Sequence, residues 1–415
     1  MTIKSLILFL LCVCANLICI AQFAGNNEEE LLLQQMQQMK FLKHNAFCIL
    51  NDSTLGSFYK KLSQLEETKQ GKVNVVHIGD SHTQAGYFTG ILRRMLQRKY
   101  GNGGRGVMFP YRIAKSNGPF DYVSATNTTW QHRRNLFADS AFTTGLAGFT
   151  IRADSSDATF CLTLRNNEGF NYDYSHLDLF THENQWLQIS VTDSTGNIAA
   201  HYDGINSTKS CHRYNFDTLI NSACIRLHTS DRAFPISVSG INTYNDSAGV
   251  ICHTIGVNGA QFKHMNNQPL FFEHLTQLNA DIIMLSFGTN EAYTVKNFKT
   301  EEFLATVDST VQLIKKIYPT IPVLITTPAE SGIKYRKRKY KVHPNMAKVH
   351  AALVQYCKEK NIACFDLYEA AGGANSFFQW RKMKMMDANA IHFTRKAYEM
   401  QAIMLWQSMF KKPMP

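Results

Sequence analysis

Beyond its first twenty residues the chain has no apolar run long enough to cross a bilayer, which argues against a polytopic membrane protein. No CxxC pair occurs, and no His, Cys, Asp and Glu group falls at ligand spacing, so no metal or cofactor is expected. The glycine-rich piece Gly101-Asn102-Gly103-Gly104-Arg105-Gly106 opens no helix of its own, the wrong context for a nucleotide cradle; a plain loop is expected. Acidic residues are in deficit, with 32 Asp and Glu against 43 Lys and Arg and a net charge of +11. In an exported protein, that balance points to anionic surfaces such as acidic glycans or a cell wall rather than to nucleic acid. Part of the excess sits in Lys334-Tyr335-Arg336-Lys337-Arg338-Lys339-Tyr340-Lys341. A solvated loop is the ordinary reading of such a run, and substrate guidance is the alternative that its tyrosines and its place after a strand keep open.

What is present begins with an export signal over residues 1–21: Lys4, an apolar run from Leu6 to Ile20, then Ala21 before the expected cleavage. An uncleaved anchor is the alternative. Localisation is therefore expected to be periplasmic or extracellular. Of ten cysteines, three leave with the signal. Those left are odd in number and cannot all pair; Cys357 with Cys364, or a pair in the middle region, is the candidate disulfide. With 415 residues and 45% hydrophobic content the chain can bury one large domain and a smaller one.

Residues 22–70 read as a helical lead-in, with Leu32, Met36 and Met39, then Leu55, Tyr59, Leu62 and Leu65, at helical spacing. Strands alternating with helices over 71–119 and again over 249–415 predict a parallel sheet with its site along the carboxyl edge. Between them, residues 120–248 carry short alternating strands and Asn, Asp, Ser and Gly turns, which predict an inserted β-sandwich or jelly roll. Trp130, Tyr172, Tyr174, Trp186 and Tyr202 are its candidates for stacking on sugar rings.

The chemistry collects at the strand ends. The β-branched run Val73 to Ile78 ends in Gly79-Asp80-Ser81-His82 and a helical pattern follows, so Ser81 stands where a strand turns into a helix. A helix cap is the ordinary role of such a serine. A hydrolytic serine needs a base, a group to hold that base and donors for an oxyanion. His392 is the candidate base, the Ser81 and Gly259 N–H groups with the Asn290 side chain are the candidate donors, and no metal takes part.

Four clusters in order, Gly79-Asp80-Ser81-His82, Asn258-Gly259-Ala260, Gly288-Thr289-Asn290-Glu291 and Ile391-His392-Phe393-Thr394, resemble the blocks of the SGNH (GDSL-like) hydrolase family. The resemblance implies a flavodoxin-like three-layer α/β/α sandwich. Within the family the chain is most similar to periplasmic peptidoglycan O-acetylesterases, in its Gly-Asp-Ser-His variant, its Phe88-Thr89-Gly90 turn, a basic loop ending in Pro344-Asn345 and an inserted module like a carbohydrate-binding domain. It departs from the family at Asn389, where the pattern has Asp three residues before the histidine. Asn389 or Asp387 is then expected to hold His392. The implied function is a serine esterase removing O-acetyl or other small acyl groups from a bacterial cell-wall or related glycan through an acyl-enzyme; the alternatives are a glycan O-acetyltransferase using the same site and a non-catalytic glycan-binding protein on a degenerate hydrolase scaffold.

Overall fold

The computed structural model describes residues 29–137, 142–166, 170–294, 298–336 and 339–410, so the expected signal 1–21 lies outside the described residues. The β-branched run of the first motif forms the strand Lys72–Gly79, an interior strand of a seven-stranded sheet. The parallel strands Gly249–Gly256 and Ile282–Ser286 lie on either side of it. Val323–Thr326 and Ala363–Phe365 continue the sheet on the Ile282–Ser286 side, and the short edge strands are Ile49–Leu50 and Asn102–Gly104. The first core strand therefore lies between the second and the third, which is the flavodoxin-like order. Connections leave its two sides in opposite directions, opening a crevice beyond Gly79.

Alternation of side chains puts the two faces of this strand into different cores. Val73 and Val75 pack with Phe88, Leu92 and Ile403, from helices Tyr87–Tyr100 and Arg395–Phe410. Val76 and Ile78 pack on the opposite side, with Phe271, Val307 and Val349. Helices thus cover both faces, as a parallel sheet requires. The lead-in docks by the spacing read above: Leu32, Met36, Leu62 and Leu65 are all buried in the first of these cores.

Between Gly106 and Tyr244 the described strands are antiparallel and form two sheets. One runs Leu187–Asp193, Ser222–Thr229, Asp157–Leu164, Tyr122–Thr126; the other includes Cys211–Ile220, Tyr174–Thr181 and Ser237–Tyr244. Their facing residues, among them Phe160, Ile225, Leu177 and Phe216, belong to one core. A buried cluster ties this region to the parallel sheet. Asp121 accepts from Arg105 Nη2 at 2.9 Å and from Arg93 Nη1 at 3.3 Å, and Arg93 Nε donates to the carbonyl of Cys252. The two guanidinium groups hold the Asp121 carboxyl below its ordinary range against the opposing effect of burial.

Several sequence expectations need correction. The Gly101–Gly106 piece is not a plain loop: Asn102–Gly104 joins the edge of the parallel sheet, and Gly106–Met108 pairs with Ser237–Tyr244. Lys334 to Lys341 is not an irregular loop either; its described residues lie in the antiparallel pair Gly332–Arg336 and Lys339–Val342. Of the two candidate disulfides the one in the middle region forms, Cys161 joining Cys224 directly opposite on the neighbouring strand, while Cys357 and Cys364 are free. Trp130, Tyr172 and Tyr174 are buried core residues, whereas Trp186 and Tyr202 are 44% and 56% exposed.

Candidate active site

At the carboxyl end of the strand Lys72–Gly79 the chain turns sharply. Asp80 caps a single helical turn, Ser81–Gln84, its carboxylate accepting from His82 N–H at 2.9 Å. This short turn passes against the neighbouring strand so closely that a Cβ on Gly256 would lie 2.2 Å from the Gln84 nitrogen. Glycine there lets Ser81 stand at the crevice.

His392 reaches Ser81 from the far end of the sequence. A loop ahead of the last helix brings its Nε2 to 2.9 Å from Ser81 Oγ. The ring is pinned by Asn389, and the orientation of that amide matters. Asn389 Oδ1 accepts from the N–H groups of Ile391 and His392 at 2.9 and 3.0 Å. Its Nδ2 is therefore the atom 2.9 Å from His392 Nδ1. An amide nitrogen only donates, so Nδ1 accepts and the ring proton belongs on Nε2, facing Ser81; this tautomer is assigned from the network. Asp387 is exposed and lines the same cleft. Burial, with the neighbouring His82, pushes the His392 imidazole down to about 4, and Asp387 offsets only part of that.

The other two clusters meet on the opposite side. Gly259 lines the cleft with φ +85°, a conformation that an L side chain rarely adopts. Gln84 fixes that loop by accepting from Asn258 N–H at 2.6 Å while donating to the Asn117 carbonyl. Asn290 Nδ2 donates to the Ala260 carbonyl at 2.9 Å and, at 3.2 Å, to Asp80. So the amide nominated for an oxyanion is engaged within the protein here, its longer bond going to a carboxyl. Burial raises that carboxyl to about 7. All six nominated residues, Ser81, Gly259, Asn290, Asp387, Asn389 and His392, thus fall in one neighbourhood. All but Asn389 line a cleft of about 500 Å³.

Sequence reasoning missed the supports. Glu291 accepts from Phe262 N–H at 2.8 Å and Gly288 N–H at 2.9 Å, tying the second cluster to the third. Burial pushes its carboxyl up to about 7. Tyr398 OH bonds His82 Nδ1 at 2.8 Å, setting the imidazole whose ring centroid lies 5.2 Å from that of His392. Glu291 and His82 stood inside the recognised clusters, a signal that could have nominated them. Tyr398 gave no such signal.

A strand-end serine, a histidine from the last loop and a glycine and asparagine across from them thus meet at the carboxyl edge of a flavodoxin-like sheet, the arrangement that the resemblance to SGNH hydrolases implies. Residues 240–400 match the model of the GDSL-like lipase/acylhydrolase family, and Ser81 lies outside the matched residues. No curated protein matches the chain. Among solved structures it is similar to a peptidoglycan O-acetylesterase, at 23% identity and a TM-score of 0.68 over 85% of this chain and 95% of that one. A GDSL-like lipase from Bacteroides thetaiotaomicron matches at 17% identity and TM-score 0.30, over 39% of this chain and 75% of that one. An acetyl xylan esterase matches at 16% and 0.31, over 39% and 81%.

Proposed function

We propose that the protein is an exported serine esterase, periplasmic or extracellular, that removes O-acetyl or another small acyl group from a bacterial cell-wall or related glycan. The observation that carries this reading is the 2.9 Å contact between Ser81 Oγ and His392 Nε2, at the edge of a cleft that Gly259 and Asn290 also line. Ser81 is the nucleophile and His392 its base. The N–H groups of Ser81 and Gly259 face the developing oxyanion, joined by Asn290 once its bond to Asp80 yields. Water then resolves the acyl-enzyme, with His392 as base a second time. The wall glycan is supported by the named substrate of the similar esterase structure, and a glycan in general by the exposed rings of Trp186 and Tyr202.

Asn389 sets the rate in this mechanism. It favours the imidazole tautomer whose Nε2 already carries a proton, and that form cannot accept one from Ser81. The bond to Asn389 must open before His392 serves as base, so turnover is slow. The same observation favours a second reading, a glycan-binding protein whose site no longer turns over. A chromogenic acetyl ester separates the two. Turnover that Ser81→Ala lowers by at least a hundredfold supports the esterase, and turnover equal in both proteins removes Ser81 from the reaction.

A further inference from the structure

Two groups of cations, exposed in the first and partly exposed in the second, are carried by segments that border the cleft, and the mechanism uses neither. The first is carried by the antiparallel pair Gly332–Arg336 and Lys339–Val342, where Lys334, Arg336, Lys339 and Lys341 are exposed. This ribbon is fastened to the loop that holds His392. Gly332 N–H donates to the Ala390 carbonyl at 2.9 Å, and Tyr340 OH donates to the Ala388 carbonyl at 3.1 Å. Arg381 clamps the junction, its guanidinium 3.7 Å above the Tyr340 ring and its Nη1 3.4 Å from the Asp387 carbonyl.

The second group lies beyond Gly259. Arg134 Nη1 donates to the Asn258 carbonyl at 3.3 Å, and the Asn258 side chain donates to that of Asn117. Lys115, Arg133 and Arg134 come close enough to add to the effect of burial in lowering the His132 imidazole. Asn117 and Asn258 line the cleft on this side, Ile391 and His392 on the other. Asp387 is the acid among its described lining residues.

A basic run is ordinarily just a solvated face. Two observations set this one apart. Arg336 is paired directly across from Lys339, and like charges in that position destabilise a ribbon. No ion pair among the described residues relieves Lys334, Arg336, Lys339, Lys341, Lys115 or Arg134. The repulsion is maintained beside the reacting groups, where an anionic ligand would remove it.

We propose that the cleft seats a carboxylate-bearing cell-wall strand, the acidic groups of its peptides held by the cations on the two segments fastened to its lining loops. This rests on the esterase reading for the ester and adds the charge of the substrate. Long-range attraction of this kind is screened over about 8 Å at physiological salt and fades as salt rises. Peptide carboxylates meet arginine and lysine here as charge-assisted hydrogen bonds.

The test compares O-acetylated peptidoglycan fragments, neutral acetylated xylan and O-acetylated polygalacturonate as substrates of the full chain. For the native protein, kcat/KM on the wall fragments relative to xylan falls severalfold between 50 and 300 mM salt, as the screening length shortens from about 14 Å to about 6 Å. A Lys334→Glu, Lys341→Glu, Lys115→Glu variant lowers the same ratio about tenfold, mostly through KM. Circular dichroism checks that it is folded, and the corresponding Gln variant replaces it if not. A ratio indifferent to salt and to these changes overturns the proposal, as does a preference for polygalacturonate over the wall. Calorimetric titration of Ser81→Ala with de-O-acetylated wall fragments keeps the two readings apart. Salt-sensitive binding without ester turnover in the native protein would retain the docking surface and reject the esterase.

Discussion

At the scale of single residues, the amide at position 389 governs the site. Its oxygen is committed to two backbone N–H groups, so rotating the amide would set its hydrogens against both. A carboxylate has no such conflict: one oxygen keeps those bonds while the other accepts from His392 Nδ1–H. Asn389→Asp is therefore expected to raise kcat on an acetyl ester by about 10²–10⁴-fold, the reverse of the loss seen when a triad Asp becomes Asn. The pH profile gives a second reading. A base held near 4 by burial keeps the native activity on the acid side down to about that pH. The new carboxylate favours the imidazolium, so the acid limb of Asn389→Asp lies at higher pH than the native one. An unchanged limb would mean that residue 389 does not act through the imidazole.

At the scale of elements, the loops are held where glycine allows close approach. Gly259 has φ +85°, and a Cβ there would lie 2.9 Å from Leu136 Cδ2. Gly259→Ala carries a strain of about 1–2 kcal/mol and turns the N–H away from the cleft. The expected result is a kcat lowered at least tenfold, with a thermal midpoint reduced by only a few degrees. A wild-type kcat would remove this N–H from the mechanism. Periodicity made the alternation over 249–415 legible: the helix Met346–Lys360 follows the strands Ile282–Ser286 and Val323–Thr326 in the expected order. The basic ribbon was not legible, because its charges hide the pairing partner that lies six residues away at Tyr340.

For the whole molecule, buried titratable groups link stability to pH. Burial holds the imidazoles of His77, His253 and His274 near 3 and of His82 near 4, so between those values and 6.5 the unfolded chain binds protons that the folded one refuses. Their contribution is complete above 6.5 and is lost as pH falls through this window. Asp80 and Glu291, raised to about 7, work in the opposite direction over part of it. The histidines outnumber them, so the thermal midpoint is expected to drop between pH 6.5 and 4; a rise would show that the carboxyls dominate. The Cys161–Cys224 bond closes a separation of 63 residues, and its removal by the double Ala variant is expected to cost about 2–4 kcal/mol in denaturant unfolding. An unchanged midpoint would show that opposed-strand pairing already holds this region.

The sequence alone determined the alternation of strands and helices, the antiparallel character of the middle region and the identity of the four polar clusters, since each is a local property of spacing or motif. Tertiary structure decided what local pattern cannot carry: that Cys161 faces Cys224, that Trp130 is core while Trp186 is exposed, and that the lysines after Ser331 overlook the histidine loop. It also decided which way the Asn389 amide points. That orientation depends on two backbone N–H groups whose directions exist only once the loop has closed on Ser81.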